Sequence, residues 1–281
     1  MTHDYPKGDL FDKFLVSEYF KLGSIDQVFK AHQFDLPISF AGYHRILDKY
    51  GVIKSAGPNS KLSESLYLLS LIANYKIPLE KIYRKYAPAS IKVSTNTIHR
   101  ILHYTRLGLT RRQGVALIIE NMDEKGKYLL GNDISLTKSA LGEKGDLSLP
   151  MGHSKTGEDP KMQILRVLQQ EVFTNDLINR NFPVNLVPEH PKPIMYINIA
   201  DIRVSVYHLL YSPKLCFSSY KLQNISFKSQ QEIQDAEVRP GVIEIIKHYE
   251  LKSSSEKVSE VIEINSNLNN ALLTYAKIGS K

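Results

Sequence analysis

An internal repeat in the first 110 or so residues constrains the fold of this 281-residue chain more than any other feature. The segment Ser39-Phe-Ala-Gly-Tyr-His-Arg-Ile-Leu47 is echoed 55 positions later by Ser94-Thr-Asn-Thr-Ile-His-Arg-Ile-Leu102. Ser, His, Arg, Ile and Leu recur at the same positions of both copies. Self-similarity of this kind indicates a duplicated structural unit. The sequence therefore predicts two similar units, at about residues 10–50 and 62–107.

Each unit is predicted to contain three helices, the last of which begins after a serine. First helices are expected from about Leu10 to Leu22 and from Leu62 to Tyr75, and shorter second helices at 24–29 and 78–83. Ser39 lies where a side-chain oxygen can cap the third helix, as Ser94 does in the second copy. Turns at 34–37 and 88–92 separate the second and third helices, which is the helix-turn-helix arrangement. The units resemble winged-helix proteins in outline, and residues 51–61 are either a minimal wing or a linker.

If the apolar residues of the third helices face a core, polar and basic residues lie on the exposed face of each helix. Tyr43 and Leu47 in the first copy, and Ile98 and Leu102 in the second, recur at helical spacing. The opposite positions, with two arginines beyond the second copy, are the predicted DNA-binding residues: His44, Arg45, Lys49, Thr95, Asn96, His99, Arg100, His103, Arg106, Arg111 and Arg112. Thr, Asn and Arg can read base edges, and Arg or Lys can hold phosphates. Duplex DNA is the predicted partner; a helical bundle with a merely solvated basic surface is the alternative.

The excess of positive over negative charge is confined to this repeated half. Residues 1–112 contain 17 Lys or Arg and 9 Asp or Glu, whereas residues 113–281 contain 19 and 20. The formal net charge of +7 therefore comes entirely from the first part. A basic region beside a neutral one favours a polyanionic partner, although a lysine-rich solvated surface has the same composition.

From Gln113 onward the pattern changes to mixed strands and helices. Strands are predicted at 114–120, 128–130, 147–151, 194–199 and 204–211, and helices from Asp159 to about Thr174 and from Pro240 to Leu251. A linker at 252–257 and an amphipathic helix through Val261, Ile264, Leu268 and Leu272 are expected to follow. The predicted class is α+β in two parts: an all-α tandem helix-turn-helix half at 1–110, an α/β domain at 111–251, and a linker and C-terminal helix at 252–281.

One segment of the second half resembles the Nudix box. Gly152, Glu158, Arg166, Leu168 and Glu171 match that motif at the required spacing. Its remaining defined positions are occupied here by different residues: Val167, Gln170, Phe173 and Thr174. The resemblance covers roughly residues 112–250 and implies a Nudix-like α/β fold, with the segment after Arg239 as the family's closing helix.

The departures from the motif bear on activity. Nudix enzymes use clustered helix carboxylates to hold Mg²⁺, which activates water against a diphosphate. Val167 and Gln170 replace two of the three expected carboxylates, and Glu158 and Arg166 can persist as an ion pair that ties the loop to the helix. The resemblance therefore implies that hydrolysis is lost and a pocket retained; no cofactor is expected, and Mg²⁺ only if the site is active. The predicted ligand-binding residues are Lys155, Glu158, Lys161, Arg166 and Glu171.

Together these features predict a DNA-binding transcriptional regulator that senses a nucleotide-like or phosphate-bearing ligand. The enzyme alternative is a divergent Nudix hydrolase of nucleoside diphosphate derivatives with an appended nucleic-acid-binding module. A third is an RNA-binding or assembly protein. No apolar run approaches the roughly 20 residues that a bilayer requires, no secretory pattern opens the chain, and the single Cys216 excludes an internal disulfide, so a cytoplasmic location is expected. Whether the chain pairs as a homodimer is left open.

Overall fold

The computed structural model describes residues 5–55, 60–76, 81, 93–134, 145–211, 216–253 and 261–278. Its helices are α1 (Asp9–Leu22), α2 (Ile25–Ala31), α3 (Phe40–Lys49), α4 (Ser60–Tyr75), α5 (Thr95–Arg106), α6 (Pro160–Glu171), α7 (Thr174–Ile178), α8 (Gln230–Gln234), α9 (Val242–Ser253) and α10 (Asn267–Ile278), with a short 3-10 helix at Val184–Leu186. Its strands are β1 (Arg112–Asn121), β2 (Lys127–Asp133), β3 (Leu147–Ser148), β4 (Met151–Ser154), β5 (Met195–Ile199), β6 (Ile202–Tyr211), β7 (Leu222–Ser229) and β8 (Ile262–Asn265).

The first helical unit, α1 to α3, encloses a hydrophobic cluster largely of its own. Ser24 and Ser39 cap α2 and α3, because each hydroxyl accepts a hydrogen bond from a backbone N–H in the first turn, at 3.2 and 3.1 Å. Leu15, Tyr43 and Leu47 are completely buried, and the Tyr43 hydroxyl donates to the Leu15 carbonyl at 2.6 Å. The three helices of this unit thus lie close to the predicted positions.

The second helical unit packs on the sheet. Ser94 caps α5 as predicted, but the expected second helix at 78–83 (apart from residue 81) and turn at 88–92 lie outside the described residues. Leu68 of α4 and Ile98 of α5 belong to one buried cluster with strand residues and with Leu272 of α10. The predicted boundary near residues 110–111 therefore does not coincide with a break in the hydrophobic core. The division into separate domains stays a prediction.

The described residues form a mixed sheet of eight strands. Along its main path the order is β3-β2-β1-β6-β5-β8, with β4 also pairing with β1 and β7 with β2. The β1–β6 and β5–β8 pairs are parallel, and the others are antiparallel. Side chains of β1 alternate between two buried faces: Val115 and Leu117 contact one hydrophobic cluster, and Ala116 and Ile118 the other.

Helix α6 covers one face of the sheet. Asp159 caps it by accepting from the Met162 N–H at 3.2 Å, and Pro160 occupies its first turn, where a missing N–H costs nothing. Ile164 and Leu168 are fully buried against the β1 side chains of that face. This packing holds the Nudix-like segment at the end of the sheet where β1 begins.

Several predicted elements differ from the structure. The expected strand at 147–151 is two short strands, β3 and β4, on either side of Pro150, and the helix expected to reach about Thr174 ends at Glu171. Helix α9 continues through Ser253, so the linker predicted from Lys252 begins too early; residues 254–260, like 56–59 of the predicted wing or linker, lie outside the described part.

The tail prediction was also wrong in part. Ile264 lies in β8, which pairs in parallel with β5, and α10 begins only at Asn267. Val261 immediately precedes this strand. Apolar residues three or four positions apart fit a helix, but Ile262 and Ile264, two apart, fit a strand equally well. Among the described residues, no helix combines the length and apolar character needed to span a bilayer.

Candidate functional site

Glu158 and Arg166 form a buried ion pair between the turn after β4 and helix α6. The Arg166 guanidinium donates to both carboxylate oxygens of Glu158, one at 2.6 Å, and to the His153 carbonyl at 2.9 Å. Burial opposes the charged form of Glu158, but the hydrogen bonds from Arg166 and the Lys155 N–H lower its pKa overall. Arg166 therefore holds the loop on the helix, and its role in ligand binding stays a prediction.

The three positions of α6 at which the Nudix motif has carboxylates differ in their surroundings. Val167 is 2% exposed and packs in the apolar cluster beneath the sheet. The Gln170 side chain accepts a hydrogen bond from the Lys221 ammonium at 2.6 Å and donates to the Ser55 hydroxyl at 3.3 Å. Only Glu171 retains a carboxylate.

Glu171 is buried between a backbone donor and a lysine. Its Oε2 accepts from the Met151 N–H at 2.7 Å, and its Oε1 lies 3.9 Å from the Lys221 Nζ. Burial raises the pKa of Glu171 to about 7 against the lowering effect of Lys221, and the charge of Asp133 raises it further. Burial also lowers the pKa of Lys221, while the charges of Glu171 and Asp133 act in the opposite direction. Burial therefore disfavours the charged forms of both Glu171 and Lys221, and Glu171 takes up a proton more readily than an exposed glutamate does.

These groups lie at the wall of a cavity of about 770 Å³ between the first helical unit and the sheet. The helical unit contributes residues 19–27, Phe40 and His44, and aromatic rings of Tyr19, Phe20 and Tyr220 line part of the wall. The sheet side contributes a polar group made of Asp133, His153, Glu171, Lys221 and Arg239. The cavity therefore combines apolar aromatic surface with cations and carboxyl groups.

Two further polar contacts define this wall. The Arg239 guanidinium donates to Asp133 Oδ2 at 2.9 Å, which links the segment before α9 to the end of β2. Burial, with the charges of Arg112, Arg239 and Lys221, lowers the pKa of His153 to about 4, so its imidazole is neutral at neutral pH. Four residues of this wall were not predicted from the sequence: Asp133, His153, Lys221 and Arg239. His153 lies inside the Nudix-like segment but at none of its defined positions, and the other three are brought here by strand pairing.

The predicted ligand-binding residues are only partly gathered here. Among the described residues that line the cavity, Glu171 is the one that was predicted. Lys155 is exposed on the turn after β4, and Lys161 is ion-paired with Glu189. Lys155 and Lys161 are not among the residues that line this cavity, and their role in ligand binding stays a prediction.

The predicted DNA-binding residues are mostly exposed. On α3, His44 and Arg45 are exposed, and Lys49 is exposed but ion-paired with Asp12 at 2.6 Å. Helix α5 exposes a row of six of them: Thr95, Asn96, His99, Arg100, His103 and Arg106. The structure thus places these side chains at the surface of the two third helices.

The two arginines after α5 have different surroundings. The Arg111 guanidinium lies over the Tyr104 ring at 4.8 Å and is exposed. Arg112 is the first residue of β1, and its Nε donates to Asp201 Oδ1 at 3.1 Å. The charge of Arg112 is thus paired within the sheet, and its contact with DNA stays a prediction.

The residues at the Nudix-like segment do not fit a magnesium ion. Magnesium requires several oxygen ligands, and carboxylates usually supply the charge. Within the described ranges, no three or more His, Cys, Asp and Glu side chains come together as a possible metal site. Val167 offers no oxygen, and the Lys221 ammonium lies 3.9 Å from the one remaining carboxylate, where it would repel a divalent cation.

No protein-family model matches the sequence, and a search of curated proteins finds no match. Solved structures are similar over about half of the chain. The MutT protein from Methanosarcina mazei Go1 is 16% identical and covers 52% of this chain and 98% of its own, with a TM-score of 0.37. A Nudix hydrolase from Nitrosomonas europaea is 16% identical over 56% and 80%, with a TM-score of 0.40. An ADP-ribose pyrophosphatase from Streptococcus suis 89-1591 is 13% identical over 55% and 99%, with a TM-score of 0.38.

Proposed function

We propose that this chain is a DNA-binding regulator in which a Nudix-like sheet senses a nucleotide-like or phosphate-bearing ligand without hydrolysing it. The observation that carries the proposal is the position of the cavity, which is lined both by the first helical unit and by the sheet. A ligand bound there contacts both parts of the chain. Its binding free energy can then favour one arrangement of the helical unit over another.

The cavity suits a ligand of mixed character. A volume of about 770 Å³ lies within the range of roughly 300–1,000 Å³ that is usual for small-molecule sites. Tyr19, Phe20 and Tyr220 offer surface for a planar or apolar moiety, and Lys221 and Arg239 offer positive charge for an anionic one. The loss of two motif carboxylates on α6 argues against metal-dependent hydrolysis.

The exposed helix faces support the DNA-binding part of the proposal. Helix α5 carries six exposed polar or basic residues of the types that contact bases and phosphates. On α3, His44 is both exposed and part of the cavity wall. A ligand near His44 would therefore act directly on a helix proposed to contact DNA. We also propose that the chain acts in the cytoplasm, as its sequence predicts.

Binding-site selection from random duplexes, followed by fluorescence anisotropy with the full chain, tests DNA binding. We expect an affinity that falls steeply as salt rises, because phosphate contacts release counterions. Arg100→Ala should cost about 1–3 kcal/mol of binding free energy if this side chain reads a base. The matched control is Lys125→Ala, which removes an exposed positive charge from the β1–β2 turn and should change little. Equal small losses would indicate non-specific charge, and no binding at low salt would overturn the proposal.

A divergent hydrolase is the second candidate, and one observation favours it. Glu171 faces the cavity with its pKa raised to about 7, a value suited to a general base at neutral pH. Nucleoside diphosphate derivatives, assayed with Mg²⁺ and Mn²⁺, distinguish the candidates. Turnover above about 1 per second, abolished by Glu171→Gln, would make the chain an enzyme. We expect no such turnover, but a shift in DNA affinity when the effector is added.

A further inference from the structure

Lys221 is a buried lysine that reaches the carboxylate-poor face of α6. It precedes β7, and only 17% of its side chain is exposed. Its ammonium donates to Gln170 Oε1 at 2.6 Å and lies 3.9 Å from Glu171 Oε1. Burying an ammonium is costly unless it is paired, so its presence needs both oxygen partners or a ligand.

Its two partners are the α6 residues at which the Nudix motif has adjacent carboxylates. Gln170 keeps an oxygen acceptor without a negative charge, and Glu171 has a raised affinity for a proton. A divalent cation bound by these same oxygens would lie beside the ammonium, and like charges at such a distance repel strongly in a buried site. Lys221 and a metal ion therefore exclude each other here.

The ammonium also retains capacity to bind an anion. It has three donors, and hydrogen bonds within the described part of the chain use one of them, on Gln170. Arg239 lines the same cavity, and its charge lowers the pKa of Lys221, so the two cations act on one region. Of the two cations, Arg239 is paired with Asp133 Oδ2 at 2.9 Å, and Lys221 keeps donors for a ligand.

We infer that Lys221 takes the place of a metal ion, binding a phosphate or diphosphate group of the ligand directly. The ligand is then an anion taken up without a divalent cation. This inference rests on the proposed function in one respect, that the cavity is the ligand site. It goes beyond the proposed function because it names the Lys221 ammonium as the group that binds the ligand and because it requires no metal ion.

The test is calorimetric titration of the full chain with inorganic pyrophosphate, in EDTA and in Mg²⁺, at matched concentrations of free pyrophosphate. We expect Kd values within about twofold of each other, since both complexes use the same charge-assisted hydrogen bonds. Lys221→Met should weaken binding by at least about tenfold, whereas Lys221→Arg keeps the charge and should retain most of it. Lys125→Gln is the matched control and should bind as the unmodified chain does. Thermal melting of each variant checks that it is folded.

Several outcomes would overturn the inference: binding only with Mg²⁺, equal binding by folded Lys221→Met, or no binding of pyrophosphate at all. The metal comparison uses the unmodified chain and so needs no variant to fold. Anisotropy with duplex DNA separates the two proposals. Metal-free anion binding without DNA binding would overturn only the regulator. DNA binding that responds to a ligand only in the presence of Mg²⁺ would overturn only the role of Lys221.

Discussion

Replacing Glu171 with glutamine removes a carboxyl group whose charge is disfavoured in the folded chain. Glu171 is 7% exposed, and burial raises its pKa to about 7 from an ordinary value of 4.5. A glutamine amide oxygen can still accept the Met151 N–H bond of 2.7 Å. We therefore expect packing to be retained and the dependence of stability on pH to change.

The size of the effect follows from the two pKa values. A carboxyl group that holds its proton more tightly when folded contributes stability that is fully present below its unfolded pKa, and this is lost as pH rises through the folded pKa. For Glu171 the loss runs from about pH 4.5 to about pH 7. Between pH 5 and pH 8 the unmodified chain should lose about 2.5 kcal/mol of unfolding free energy relative to Glu171→Gln.

Urea unfolding followed by circular dichroism at both pH values measures this difference. Asp123→Asn is the control, because the Asp123 side chain is exposed in the β1–β2 turn and the substitution should leave the pH profile unchanged. The unmodified chain and Glu171→Gln should diverge as pH rises. Parallel profiles would refute the reasoning, since they would mean that Lys221 and the Met151 N–H fully offset the burial of the carboxylate.

Three further substitutions test contacts of helix α6 and of the residue directly before α9. Arg166→Met leaves the Glu158 carboxylate partly buried without its partner and should cost about 3–5 kcal/mol in urea unfolding; a loss below about 1 kcal/mol would match a solvated pair instead. Gln169→Ala removes hydrogen bonds of 2.9 and 3.0 Å to the backbone at 51–53 and should cost about 2–4 kcal/mol, against no measurable change if water replaces them. Gly241→Ala places a Cβ against the Ile199 side chain of β5, at a φ of +95° that side chains rarely adopt, and should lower stability by about 2 kcal/mol; an unchanged melting temperature would contradict this.

The helices of the first half could be predicted because their signals are local. Ser24, Ser39 and Ser94 each cap the helix that follows directly. The spacing of the apolar residues after each serine identifies the buried face of that helix. Strand β7 carries no such signal. Its pairing with β2 shifts register between Leu130 and Asn132, so the alternation of apolar and polar side chains is broken where a regular strand would show it.

The cavity could not be predicted for a different reason. Glu171 was found through its motif, but Asp133, Lys221 and Arg239 are distant in sequence and reach it through the pairing of β2 with β3 and β7. A sequence pattern records neighbours along a helix or strand and not the register between strands. The mutual contacts of Lys221, Gln170 and Glu171 therefore became visible only in the folded chain.

The shared core of α4, α5, the sheet and α10 has a consequence for synthesis in the cell. Leu68 on α4 and Leu268 on α10 lie in one buried cluster, although about 200 residues separate them. At a ribosomal rate of roughly 5–20 residues per second, the apolar face of α4 emerges some 10 to 40 seconds before the helix that covers it. During that interval the leucines of α4 are exposed on the nascent chain, because α10 has not yet been synthesised. Chaperones that hold exposed apolar segments should therefore bind the growing chain at residues 65–72 and release it once α10 has left the ribosome.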